Sequence, residues 1–189
     1  MIKTKEDLRY YLSEDRKNYP VKPTWKDRLI KSDNYYIWNF LTELRLMEYI
    51  ENNSAGLIGK IRLKYHMVKF HRLIHKTQMH LYPHVFGPGL YIPHLGYMLV
   101  SNKASIGKNC TVRPGLLIAT NLGKSDTTLR KVVVGDDVEF SAGCVILCKK
   151  IGNNVTVGPN AVVTKNVPDN STVMGNPGTI VPKFINIIK

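Results

Sequence analysis

From Val100 to Val163 the aliphatic residues of this chain keep a beat of six. Val100, Ile106, Val112 and Ile118 are six apart, Val134, Phe140 and Ile146 resume the count, and Ile151, Val157 and Val163 repeat it. A helix cannot use such a spacing, because residues six apart wander around its surface. A small residue follows the apolar one in Ile106-Gly107, Ile118-Ala119, Val134-Gly135, Phe140-Ser141, Ile151-Gly152 and Val157-Gly158. A six-residue unit can form one flat face of a triangular parallel β-helix, its aliphatic pointing inward, with three units to a coil. Coils stack so that each satisfies its neighbours' backbone, and three or more are needed to bury a continuous core.

Two irregularities interrupt the beat. Ile146 and Ile151 are five apart, so that corner is expected to be tightened or slipped by one. Between Ile118 and Val134 lies "ATNLGKSDTTLRKVV", whose polar "NLGKSDTT" carries turn formers. This segment reads as a loop extruded from the prism, and loops on rigid scaffolds are where function concentrates.

Ahead of residue 80 the period is helical. "KTKEDLRYYLSEDRK" is a short amphipathic candidate. "WKDRLIKSDNYYIWNFLTELRLMEYIENN" places Leu29, Ile37, Phe40, Leu41, Leu44 and Met47 three and four apart, one buried stripe. "SAGLIGKIRLKYHMVKFHRLIHKTQ" is a further helix, basic on its outer side, with Ser54 as the candidate N-cap. The expected organisation is α+β: a helical N-terminal domain over 1–80, a β-helix over 81–175 and a tail over 176–189.

Composition narrows the partners. The net charge is +13, with three cysteines, Cys110, Cys144 and Cys148. An odd number without CxxC spacing argues for a reducing cytoplasm and against a disulfide framework or zinc site. Cys144 and Cys148, within the repeat, are expected to be inward or side-wall fillers. The charged N-terminus lacks the apolar core of a secretory signal. No apolar run approaches the ~18 residues of a membrane span. A basic surface attracts anions in general, but no run of five basic residues or aromatic–basic pattern marks a nucleic-acid site. The charge is therefore read either as a solvated basic surface without a specific partner or as one that meets an anionic cofactor, with neither nucleic acid nor membrane expected as a partner.

His94 is the last of six histidines, and it sits in "GPGLYIPHLG" where counting back six from Val100 calls for an aliphatic. Either the ring is buried and hydrogen-bonded in the prism, or the coil is distorted and turns it outward. An unsatisfied polar group inside would cost about 1–3 kcal/mol, and Pro93 and Gly96 supply turn chemistry. His71 and His75 share one face of a helix, with His66, His80 and His84 near. No Asp or Glu lies between residues 52 and 125 to complete a carboxylate site, so they read as part of a basic helix face and no metal is expected.

Four stretches in order resemble hexapeptide-repeat acyltransferases, and within them serine O-acetyltransferases. "GPGLYIPHLG" is similar to that family's glycine-rich stretch ending in the active-site histidine, "NLGKS" to its extruded loop, "VVTKNVP" to its last coil and "MGNPGTIVPK" to its tail. The resemblance implies a left-handed β-helix, acetyl transfer from acetyl-CoA to a hydroxyl, and a homotrimer or dimer of trimers whose loop reaches the neighbour's histidine. With serine as acceptor it implies cysteine biosynthesis. It assigns His94 as general base, and Ala142, Pro159, Thr164, Lys165 and Lys183 to the CoA groove. The family's partner aspartate falls on Met79, its aspartate before the histidine on Pro93, and its loop Arg-His pair on Thr128 and Leu129. Arg130 then becomes the candidate for a substrate carboxylate and Asp126 for orienting the imidazole or acceptor. The departures leave a sugar hydroxyl open as acceptor, and leave open a scaffold that has lost activity.

Overall fold

The computed structural model describes residues 1–19, 22–119 and 131–183. Four helices precede the strands: α1 (Lys5–Arg16), α2 (Trp25–Ile30), α3 (Asp33–Asn52) and α4 (Gly56–Thr77). Capping chemistry sets their starts. Thr4 Oγ1 accepts from the Asp7 amide and the Asp7 carboxylate accepts from Thr4, a reciprocal box that Thr24 and Asp27 repeat at α2. Ser32 caps α3 by accepting from the Tyr35 amide.

That cap divides what the apolar spacing alone joined into one helix. Lys31 adopts φ 54°, a left-handed stop, and α3 starts again after Ser32. Leu29 therefore falls outside the stripe and is exposed, while Ile37, Phe40, Leu41, Leu44 and Met47 are buried. Ser54 does not cap α4. The N-cap is Ala55, without a side-chain bond, and Ser54 Oγ donates to Ile50 O at the end of α3 instead. Phe40 packs on Phe70 of α4, ring centroids 5.5 Å apart.

Beyond α4 the chain winds into a parallel β-helix with three walls. The first stacks β1 (Met79–His80), β2 (Met98–Val100), β5 (Leu117–Ile118), β8 (Val145–Ile146) and β11 (Val162–Val163). The second stacks β3 (Ser105–Ile106), β6 (Val133–Val134) and β9 (Lys150–Ile151), and single bridges from Phe86 and Val167 extend it at either end. The third stacks β4 (Thr111–Val112), β7 (Glu139–Phe140), β10 (Thr156–Val157) and β12 (Ser171–Met174). The tail turns back as β13 (Thr179–Pro182), antiparallel to β12, and covers the last edge.

Every residue on the beat of six is buried, from Val100 through Phe140 to Val163. Cys110, Cys144 and Cys148 are buried free thiols beside them. The register explains the short step: Ile146 pairs with Ile118 and Ile151 with Val134, so the corner between them loses one residue without shifting the strands. Ile118 and Val134 occupy the same places one coil earlier, sixteen residues apart. The surplus falls at this corner, and residues 120–130 lie outside the described ones.

The corner from second to third wall is tied by side chains. Asp136, Asn153 and Asp169 accept from the amides of Lys108, Asp136 and Asn153, each one coil back, at 2.8 Å. Glycine is required beside them, since a Cβ on Gly107 would come within 2.1 Å of Asp136 Oδ1 and 2.6 Å of Gly135 O. These amide bonds hold the Asp169 carboxyl below its usual range.

One hydrophobic cluster runs from α3 and α4 through the prism to Val173. Its junction is ionic. Arg45 is fully buried, bonded to both carboxylate oxygens of Asp15 (2.7 and 3.1 Å) and to Glu48 (3.0 Å), and it donates to Phe86 O and Gly87 O. Burial pushes the Glu48 carboxyl up, against the pull of Arg45. Removing one member of such a cluster leaves the others buried and unpaired, so Arg45→Leu is expected to cost about 3–5 kcal/mol. Urea unfolding of the whole chain checks this, and a loss under ~1 kcal/mol would show that the cluster is not the junction.

Candidate active site

His94 stands on the corner that leads from the third wall to the first wall of the next coil. Six residues separate Thr111 from Leu117, Glu139 from Val145 and Thr156 from Val162 across this corner. Eight separate Tyr91 from Leu99, which occupy the equivalent register positions one coil earlier. The first turn is therefore two residues longer, and His94 lies in the expansion, exposed. Counting back by six from Val100 fails here because of those two residues: Ile92 and Met98 fill the interior and the ring is outside.

The same corner holds Ala142 and Pro159, both exposed, one and two coils beyond Pro114. Backbone bonds keep the coils in step. Gly115 N donates to Tyr97 O (2.6 Å), Gly143 N to Pro114 O (3.0 Å) and Asn160 N to Ala142 O (2.9 Å). Gly115 has φ 86°, and a Cβ on it would lie 2.8 Å from the Gly143 backbone, so only glycine lets the coils close up. The result is an edge lined by small residues and prolines below an accessible imidazole. Beside it, Arg113 is paired with Glu139. Among the described residues no hydrogen-bond partner of His94 is present, and Met79, where the resembled family has an aspartate, is buried in β1.

The other expected groove residues stand on different corners. Thr164 and Lys165 lie between Val163 and Val167, at the first-to-second corner, across the first wall from His94. Lys183 lies at the second-to-third corner, where its Nζ donates to Asn154 Oδ1 at 2.8 Å and its amide to Asn170 O. Within one chain Lys183 thus does not join the His94 edge. Asp126 and Arg130 lie outside the described residues. Nucleophilic cysteine chemistry has no support: burial raises all three thiols, Cys144 up to about 12. Among the described residues no group of three His, Cys, Asp or Glu is placed to hold a metal ion.

The sequence reading missed what holds His94 in place. Asp15 Oδ1 accepts from the amides of Gly89 (2.8 Å) and Leu90 (2.9 Å). The Tyr19 hydroxyl accepts from Ile92 N (2.8 Å) and donates to Ile92 O (2.9 Å). With Arg45 on Phe86 O and Gly87 O, the helical half grips backbone groups across 86–92. Burial raises the Tyr19 phenol well above its usual range, so it stays neutral and can serve as both donor and acceptor. The contacts of Tyr19 and Asp15 bridge 73 and 74 residues of sequence and those of Arg45 bridge 41 and 42, and no local motif announces them.

Comparison with known proteins follows the repeat. No family model matches the chain. Serine acetyltransferases of Staphylococcus aureus and Staphylococcus epidermidis are 38% identical to it over 96 residues, half of this chain and 44% of theirs. The aligned part thus spans less than half the length of these relatives. The fold likeness is broader. Soybean serine acetyltransferase superposes with a TM-score of 0.67 at 25% identity, over 92% of this chain and 67% of that one. The Neisseria gonorrhoeae serine acetyltransferase gives 0.60 at 23%, over 95% and 68%. A serine acetyltransferase complex with CoA gives 0.63 at 20%, over 92% and 67%. The chain shares with these structures a helical region followed by a left-handed parallel β-helix.

Tyr19→Phe removes both bonds to Ile92 while keeping the ring that packs on Tyr91, 5.3 Å between centroids. The amide of Ile92 should then exchange with solvent at least ~10-fold faster, with exchange in β10 unchanged. Equal protection in both proteins would show that the hydroxyl does not hold the segment.

Proposed function

We propose that the chain is an acetyl-CoA-dependent O-acetyltransferase of the serine acetyltransferase kind, with His94 as general base. The observation that carries this is the two-residue expansion that presents His94 at the head of the Ala142–Pro159 edge. Similarity to serine acetyltransferases supports the reaction class. An alcohol attacks a thioester poorly until its proton is taken. His94 would accept that proton as the hydroxyl oxygen bonds to the acetyl carbon, then return it to the sulfur as the C–S bond breaks. Small residues at Ala142 and Pro159 would let a pantetheine arm lie against backbone N–H and C=O groups. Lys165, across the first wall, would meet a CoA phosphate from this chain or a neighbour's site. Lys183, at the second-to-third corner, has one of its three donors on Asn154 and could offer the others to a CoA phosphate of a neighbour's site. In this reading Asp126 orients the imidazole or the acceptor, and Arg130 holds a substrate carboxylate.

L-serine is the first acceptor to test, and its use would place the protein in cysteine biosynthesis. A sugar hydroxyl is the second reading, favoured by apolar Met79 and Pro93 where carboxylates would hold an imidazole or an ammonium. The three unpaired cysteines support a cytoplasmic site. His94→Ala should lower turnover by about 10²–10⁴-fold, read as thiol release from acetyl-CoA with serine and with sugars, while CoA binding by calorimetry persists. Near-normal turnover would sink the assignment. No thiol release by the native chain with any acceptor would favour a scaffold.

The reading includes a homotrimer or a dimer of trimers. The first wall carries half-buried Leu99, Leu117, Val145 and Val162 on its outer side, where the third wall carries Thr111, Glu139, Thr156 and Thr172. An apolar wall beside the His94 edge suits a neighbour that completes the groove. Light scattering should give three or six chains per particle, and Leu117→Asp should dissociate them with loss of activity. A monomer that keeps full turnover would overturn it.

A further inference from the structure

Helix α4 is packed along one side only. Phe70, Ile74 and Thr77 are buried, and Leu63 and Leu73 pack against the core. On the opposite side, Leu57, Ile58, Ile61, Tyr65 and Val68 recur at helical spacing and form a second apolar stripe. Their exposure runs from 53% at Val68 to 84% at Ile58. Lys60 and Lys64 flank the stripe on one side, Arg62 and Lys69 on the other. Arg72 and Lys76 continue its line at four-residue steps. The helix contains no carboxylate.

A second observation adjoins the first. The flank of α4 opens into a cleft of about 230 Å³ whose cations are Lys31, Lys69, Arg72 and Lys76, together with Tyr35, Tyr36 and Asn39. Beside it a cleft of about 360 Å³ adds Lys22 and Arg28 and shares Tyr35 and Asn39. Among the described residues no carboxylate lines either one. Of these cations only Lys69 has a carboxylate partner among the described residues, Glu43. Helix α2, at the rim, exposes Trp25, Leu29 and Ile30.

We propose that this face lies on an anionic lipid surface, with the α4 stripe entering the headgroup–acyl boundary and the clefts taking lipid phosphates. An apolar stripe flanked by Lys and Arg is the arrangement of a helix lying in a membrane interface. Charge decides against a second copy as the occupant: two α4 faces would set like charges together with no carboxylate between them, whereas phosphates neutralise them. The sequence reading set membranes aside because nothing could span one, and among the described residues no helix is long and apolar enough to cross. A helix lying flat needs only a stripe.

The test is co-sedimentation of the full chain with vesicles of phosphatidylcholine alone and of equal parts phosphatidylcholine and phosphatidylglycerol. The chain should pellet with the anionic vesicles and stay in solution with the neutral ones, and added salt should weaken binding. Ile58→Asp/Ile61→Asp and, separately, Arg72→Glu/Lys76→Glu should each weaken it at least ~10-fold. Both pairs are solvent-exposed, so circular dichroism and thiol release from acetyl-CoA should not change. A chain that ignores anionic vesicles, or binds them equally well with either pair replaced, overturns the proposal. So does a particle that loses chains in light scattering when Ile58 and Ile61 are replaced while lipid binding is nil, which would assign the stripe to a second copy.

Discussion

The buried Arg45 guanidinium is the point on which the two halves of this molecule depend. Taking a charge out of water is expensive, and a cluster of one cation and two carboxylates is tolerated only when nearly every donor and acceptor is used. Here Asp15 and Glu48 come from helices, and the remaining donors go to carbonyls of the first coil. Asp15 also accepts from two amides of that coil. The segment 86–90 forms no continuous strand with the next coil, only the Phe86 bridge and a bond from Asn109 N to Pro88 O, and the helices bond its remaining backbone groups at Phe86, Gly87, Gly89 and Leu90. The helical region thus caps the prism, as any stack of repeats requires at its ends.

That capping bears on the proposed reaction because of where His94 lies. A turn two residues longer than its successors carries more conformational freedom, which costs entropy to fix. The bonds from Tyr19, Asp15 and Arg45 fall on the residues just before the turn, and Gly115 N ties Tyr97 just after it. The imidazole is thereby held at both ends of its loop while remaining open to solvent. In the proposed reaction, this is positioning without burial: the ring is placed, yet stays accessible to a substrate.

The prism was legible because its physics is local in sequence. Each inward aliphatic, each small residue after it and the five-residue step at Ile151 belong to one coil, so a count along the chain is a map of the structure. The helical half was legible as helix, but Ser32 was overlooked as a cap because the apolar spacing ran past it. Counting failed at His94 for a definable reason: the two extra residues leave no trace in a period that begins at Val100. The grip on 86–92 was not legible at all, since Asp15, Tyr19 and Arg45 look like ordinary polar residues of helical segments until the coil is laid against them.

The surface divides in a way that the net charge concealed. Basic residues exceed acidic ones in both halves, which reads as a diffuse cationic coat. In the fold the acids are drawn to particular places. Asp15, Glu43 and Glu48 are buried partners, Glu139 is paired with Arg113, and Asp169 is bound to an amide ladder. Carboxylates spent on junctions and corners cannot neutralise α4, where Lys60, Arg62 and Lys64 stand on an unpacked helix side with apolar residues between them. A uniform excess of charge at the level of sequence becomes a local field at the level of structure because the fold uses its acids elsewhere. The prism face with His94 is lined by small residues and prolines, and the α2–α4 face by cations and exposed aliphatics. The two faces are suited to different neighbours, and the Arg45 cluster lies between the helices and the first coil.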